Sequence, residues 1–419
     1  NQAPVMSTKP PRHRTLFSIP RDYFHRRRFR RRLTNIILIP LLSVVVAYII
    51  TRPTGGAGFT LPKTAHAASL SAPMKQVPAV LETAAHSASS LATGGFAGPD
   101  ATPPASPLLS GAYMLAEGPH SVSEVADLVL HDAKRNEDLH VRVFYPNRPG
   151  PYPVIVFSSG AGDLQTCCDA LTRHWASYGY VTLQPAYKDF AGPRGKKGEE
   201  DGNSLKALRE ALKEPALWQS RAQDISFILD SVTGLPDRIP ALAGKIDAGH
   251  IGVGGDSLGA FTADAIAGAL VDLPGSPASS FADPRAKAVL LLSPQGPGEF
   301  GLTSHSWDHV TLPLLSMTGS LDFGADKQSP EWREMPFKSS KAGDKYHVFI
   351  QGADHTSFIT AKTLMAGGGA RGESILGYTN SAALAFWDAY LKADPQAKIY
   401  LQSGALPDFS RGAVKLFRR

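Results

Sequence analysis

The segment Gly255-Asp256-Ser257-Leu258-Gly259 sets a serine between two glycines. An apolar run, Ile251 to Gly254, leads into it, and an alanine-rich stretch, Ala260 to Gly268, follows. This pattern predicts a strand that turns sharply into a helix, with Ser257 at the tip. Glycines two positions before and after the serine let the strained turn pass close to neighbouring backbone. A serine hydroxyl is a poor nucleophile unless a base takes its proton, and the base needs a third group to orient it. The chemistry to look for is attack on a carbonyl by Ser257, with an acid and then a histidine later in the chain. The alternative reading of the segment is an ordinary glycine-rich turn.

Two later segments supply the partners. The run "LPLLSMTG" (Leu312–Gly319) continues into "SLDFGAD", which carries Asp322. The run "KYHVFIQG" (Lys345–Gly352) continues into "ADHTSF", which carries His355. Both side chains are expected on loops at the carboxyl ends of strands, the edge at which Ser257 also arrives. Asp326 is a rival acid. Asp354 adjoins the base and is expected to point elsewhere. A developing oxyanion needs donors as well. One is the Leu258 backbone N–H at the start of the helix. The other is the Ala161 N–H, in the loop "GAGD" (Gly160–Asp163) that follows "VIVFSS".

These groups need a scaffold to bring them together. "VADLVLHD" (Val125–Asp132) and "HVRVFYP" (His140–Pro146) alternate at period two, as a hairpin would. "PVIVFSSG" (Pro153–Gly160) is continuously apolar, as a strand covered on both faces is. Helices are expected over Leu164–Tyr180, Trp218–Val232, the stretch after Ser257, and Thr379–Ala393. Strands are expected at Val181–Tyr187, Lys287–Pro294, Leu312–Gly319 and Lys345–Gly352. Alternation of this kind predicts an α/β fold over residues 116–419, a mostly parallel central sheet with helices on both faces.

The amino-terminal quarter is different. The net charge is +6, yet residues 1–32 alone carry ten Lys and Arg against Asp22. The remainder is therefore net negative, which argues against a nucleic-acid surface on the globular part. The uncharged run Leu33–Ile50 comes next. Its length is near the roughly 17–25 residues of a membrane helix. Arginines before the span predict a basic cytoplasmic tail (1–32), a transmembrane signal-anchor (33–51) and the remaining chain on the extracytoplasmic side. A cleaved signal peptide, with "TAHAA" at Thr64–Ala68, and a twin-arginine signal at Arg26–Arg30 are the alternatives. Residues 52–115 are rich in Ala, Ser and Pro and read as a flexible linker.

At the quoted motifs the chain resembles an α/β-hydrolase. It is similar, more narrowly, to bacterial proteins grouped with platelet-activating-factor acetylhydrolases and predicted dienelactone hydrolases. The likeness rests on "VIVFSSGAGD", "HWASYGYVTLQPAY", "IGVGGDSLGAFTA", "LLLSPQGPGEFG", "LSMTGSLD" and "GADHTSF", and spans roughly residues 121–396. It implies Ser257 as nucleophile, Asp322 as acid and His355 as base, with Ala161 and Leu258 at the oxyanion-hole positions. It implies a serine esterase acting on a small-molecule or lipid-like ester. Two positions depart from the pattern. Ser159 and Asp256 stand where many relatives carry histidine. Dienelactone hydrolases use a cysteine nucleophile, so Ser257 leans towards general ester cleavage.

This reading calls for no metal or organic cofactor. The segment Gln295–Val310 is expected to cover the site, with Phe300 and Trp307 as pocket walls or, alternatively, as plain packing. His305 and His309 suggest a metal pair that is not adopted, because no matching set of carboxylates accompanies them. Cys167 and Cys168, the only cysteines, are expected as two thiols, although a strained bridge between neighbours is conceivable. Two other function classes stay open. One is a non-catalytic member of the fold that binds a ligand or partner. The other is a triad hydrolase of a peptide or thioester bond.

Overall fold

The computed structural model describes Tyr113 and residues 116–161, 166–187, 209–359 and 370–419. The expected tail, membrane segment and nearly all of the linker lie outside these residues. Among the described residues no helix is long and apolar enough to cross a membrane.

Among the described residues eleven strands occur in this order: β1 (Val122–Asp132), β2 (Glu137–Pro146), β3 (Tyr152–Ser158), β4 (Val181–Ala186), β5 (Ile246–Asp256), β6 (Val271–Leu273), β7 (Ser276–Ser279), β8 (Ala286–Leu292), β9 (Leu314–Gly319), β10 (Lys345–Ile350) and β11 (Val414–Arg418). Nine form one sheet in the order β1-β2-β4-β3-β5-β8-β9-β10-β11. From β4 to β10 every pairing is parallel, while β2 and β11 join it antiparallel. The principal helices are α1 (Asp169–Ser177), α2 (Pro215–Ser231), α3 (Leu258–Ile266), α4 (Ala370–Leu391) and α5 (Pro395–Gln402). The fold is thus α/β with a mostly parallel sheet.

The continuous apolar strands follow from this layering. Val154 and Val156 of β3 face a core shared with Ile225, Ile228 and Phe261, from α2 and α3. The alternate residues Ile155 and Phe157 face a second core with Trp175 of α1 and Trp387 of α4. Both faces of β3 are buried, so neither set of side chains can be polar. At Gly252 of β5 a Cβ would run into Trp387 and Leu391, so the indole of α4 lies directly on the backbone.

The strand order also fixes where a site can form. The chain passes from β3 to β4 on one side, then returns to place β5 on the other. Sheets of this kind take their ligands at the carboxyl ends of the strands where the order reverses, here β3 and β5.

Several boundaries differ from expectation. α1 is shorter than Leu164–Tyr180, because Cys168 stands outside helical geometry before it and Gly179 takes a left-handed φ of 90° after it. The last long helix begins at Ala370, ahead of Thr379. The hairpin β6–β7 and the edge strand β11 were not expected: "SPAS" carries no strand pattern, and "VKLFR" is short.

Candidate active site

β5 ends at Asp256 and α3 begins at Leu258, so Ser257 alone makes the turn. Its φ is 54° and its ψ −120°, a region that costs a non-glycine residue about 1–3 kcal/mol. The neighbours force this. A Cβ on Gly255 would overlap the Gly259 carbonyl, and one on Gly259 would overlap the Ser158 carbonyl. A larger residue at Gly255 would push α3 off β5, and one at Gly259 would push it off the end of β3. Ser257 occupies the N-cap position of α3, yet its hydroxyl makes no capping bond. That hydroxyl faces His355 instead, with Nε2 at 3.0 Å from Oγ.

His355 and Asp322 arrive as the strands dictate. β9 delivers Asp322 and β10 delivers His355, on adjacent parallel strands with Gly319 opposite Ile350. His355 Nδ1 lies 3.0 Å from Asp322 Oδ1. The carboxylate is fully buried and densely held. Ser293 Oγ donates to Oδ1 at 2.9 Å, and Thr318 Oγ1 donates to Oδ2 at 2.9 Å. Arg333 Nε lies 2.9 Å from Oδ1. Burial alone would push this carboxyl's pKa up. The Arg333 charge and the bonds from His355 and Ser293 outweigh burial and hold it below the usual carboxylate range. Asp322 is therefore an anion.

The rival acids separate cleanly. Asp326 is exposed in a turn where its N–H bonds Gln328. Asp354 folds back on its own loop and accepts from Thr356 and Ser357. Asp256 is buried with its Oδ1 lacking a hydrogen-bond partner among the described residues. Burial pushes its pKa up to about 7, partly offset by His355. Its carboxyl packs on the loop after β3, where a Cβ at Gly160 would sit 3.3 Å from Oδ2.

The same loop holds Ala161. Arg221 of α2 is buried and donates to Ser159 O at 2.8 Å and to Gly160 O at 3.3 Å. Its guanidinium lies 3.4 Å from the centroid of the Tyr187 ring. In a planar trans peptide the C=O and N–H point opposite ways. Anchoring Gly160 O on Arg221 thus turns the Ala161 N–H away from α2. Gly160 borders Ser257, since a Cβ there would lie 3.4 Å from Ser257 Cβ. The Leu258 N–H sits in the first turn of α3, where no intrahelical acceptor exists.

The remaining candidates fall elsewhere. Trp307 is fully buried, and its Nε1 donates to Asp264 at 2.6 Å. Its indole belongs to the core, in keeping with the plain-packing alternative to a pocket wall. Phe300 is partly exposed and packs edge-on against Phe261, with Trp218 beside it. His305 is exposed and pairs with Asp308 at 3.1 Å. No group of three or more metal-ligating side chains occurs among the described residues. Cys167 and Cys168 are free thiols. A depression of about 600 Å³, lined by His120, Tyr152, Tyr178, His250 and Lys392, opens at the amino ends of β3 and β5. It lies at the opposite edge of the sheet from Ser257, so the polar constellation marks the reactive edge better than this hollow does.

Ser293, Thr318, Arg221 and Arg333 were not singled out from the sequence. Ser293 and Thr318 do sit at the carboxyl ends of β8 and β9, the edge already implicated. Nothing local marks the two arginines, which reach the site from α2 and from the short helical turn Pro330–Glu334. The chain matches no model of a known protein family and no curated protein.

Proposed function

We propose that the chain is a serine carboxylic-ester hydrolase built on an α/β-hydrolase fold. The observation that carries this reading is the relay of contacts Ser257 Oγ, His355 Nε2, His355 Nδ1 and Asp322 Oδ1, each link 3.0 Å long. His355 takes the Ser257 proton as Oγ attacks the ester carbonyl. Asp322 holds the imidazole and balances the positive charge it gains. The Ala161 and Leu258 N–H groups receive the oxyanion. His355 then returns the proton to the leaving alcohol, and water cleaves the acyl-enzyme by the same route. The strain at Ser257 supports this reading, because its φ of 54° with a ψ of −120° occurs at the one residue that turns the strand into the helix and faces His355. The arginine-flanked run at 33–51 would tether such an enzyme to a membrane, with the α/β domain on the extracytoplasmic side.

Turnover of p-nitrophenyl esters of increasing acyl length, beside matched anilides, tests the proposal. Wild type should cleave esters and Ser257→Ala should not. Equal turnover by Ser257→Ala would overturn it.

A further inference from the structure

The imidazole Nδ1 of His355 faces three groups. Ser293 Oγ is 2.7 Å away, Asp322 Oδ1 3.0 Å and Arg333 Nη2 3.3 Å. A carboxylate can only accept, a guanidinium can only donate, and a hydroxyl can do either. A base that serves Ser257 needs a free lone pair on Nε2, so its proton must sit on Nδ1. In that tautomer Nδ1–H has two acceptors, and Arg333 Nη2 is a donor facing a donor. In the other tautomer Nδ1 accepts from Arg333, and Nε2–H points at Ser257 and cannot take a proton. The guanidinium that keeps Asp322 charged thus favours the unproductive arrangement of the imidazole.

Ser293 opposes it. Its hydroxyl donates to Asp322 Oδ1 at 2.9 Å, a charge-assisted bond that fixes where the proton goes. A lone pair is then left for His355, at the shortest of the three Nδ1 distances. The backbone is held for this purpose on both sides. Ser293 N–H donates to Met317 O at 2.9 Å, and Arg333 Nη1 donates to Ser293 O at 3.1 Å. Ser293 also carries a φ of 51°, an uncommon conformation for a non-glycine residue. Its hydroxyl is thereby held by its neighbours between Asp322 and His355.

We propose that Ser293 is a positioning residue that relays the hydrogen bond between His355 Nδ1 and Asp322 and so holds the imidazole in its Nδ1–H tautomer. This rests on the hydrolase reading for its consequence in rate, and on geometry alone for the tautomer.

The test is Ser293→Gly in the full-length protein. Glycine accepts the positive φ, so the variant should unfold no earlier than wild type while lacking the hydroxyl. Ser293→Ala removes the same hydroxyl and keeps a Cβ, and serves if the glycine loosens the turn. Steady-state ester hydrolysis should show kcat lower by about tenfold or more with KM within about twofold, as expected when the productive tautomer is lost. Imidazole ¹⁵N spectra, with His355→Asn to assign the signal, should show Nδ1–H in wild type and a gain of Nε2–H in the variants. Variants that keep wild-type kcat and the Nδ1–H signal would overturn the proposal and leave the hydrolase reading standing. A wild type that shows the expected tautomer change on substitution but cleaves no ester would overturn the hydrolase reading and support Ser293.

Discussion

Arg333 Nε lies 2.9 Å from Asp322 Oδ1 in the interior, and its other nitrogens donate to the carbonyl oxygens of Ser293, Pro294 and Phe323. One cation thereby ties together the two loops that follow β8 and β9 at the carboxyl edge of the sheet while neutralising the acid. Removing it leaves a buried carboxylate without its counter-charge. Arg333→Met should cost about 3–5 kcal/mol of unfolding free energy at pH 7, read by denaturant titration. The penalty should shrink on acidification. The folded-state pKa of Asp322 is depressed, so its contribution to stability is present at neutral pH and is lost as pH falls through that value. Arg333→Lys should not restore stability, because an ammonium cannot reach several carbonyls in a fork. A loss below about 1 kcal/mol would contradict this account of the pair.

Strain at Ser257 predicts opposite effects on stability and activity. Ser257→Gly should abolish hydrolysis and be more stable than Ser257→Ala by about 1 kcal/mol, because glycine tolerates the φ of 54°. Thermal unfolding of the two inactive variants decides it. A glycine variant no more stable than the alanine variant would mean that the turn is not strained.

Arg221 sets the direction of the Ala161 N–H through the Gly160 carbonyl. Arg221→Met should lower kcat by up to about 10²–10³, the range for losing one oxyanion donor, with a smaller change in KM. Progress curves on a single ester suffice. Unchanged kcat in a folded variant would place the oxyanion donor elsewhere.

Buried acids predict an unusual pH dependence of stability. Asp264 is fully buried, accepts only the Trp307 N–H among the described residues, and has its pKa pushed up to about 7 by burial, partly offset by that bond. The sign follows from linkage. With the folded pKa above the unfolded one, the group favours the native state below about pH 4, and that advantage is lost as pH rises to about 7. Asp264→Asn should reduce the slope of stability against pH in this window by about 1.4 kcal/mol per pH unit. Denaturant midpoints between pH 4 and 7 measure it, and parallel curves for the two proteins would contradict it. Asp256 acts in the same direction.

The cluster of Ser257, Asp322 and His355 was legible because each member follows a run that reads as a strand within an alternating α/β pattern. β5, β9 and β10 end at Asp256, Gly319 and Ile350, and the chemistry comes within a few residues of each end. Period and run length therefore place Ser257, Asp322 and His355 at one edge without knowledge of strand order. The arrangement around Asp322 was not legible. Whether Ser293 lies between acid and base depends on β8 pairing with β9, a non-local choice that no local pattern encodes. Arg333 and Arg221 reach the site across gaps in sequence, and as single arginines in helical segments they read as surface charge. Trp307 stayed open between pocket wall and plain packing for a related reason. Only the fold shows Asp264, on the helix after Ser257, taking its N–H.

The central claim is that Ser257 is a nucleophile activated by His355. A fluorophosphonate probe reacts with a serine only when the hydroxyl is activated and open to the probe. Labelling the intact protein, followed by peptide mass spectrometry, reads this without knowledge of the natural substrate. The account predicts a single adduct on Ser257, absent in Ser257→Ala and strongly reduced in His355→Ala. An unlabelled wild type, or an adduct on another residue, would contradict it.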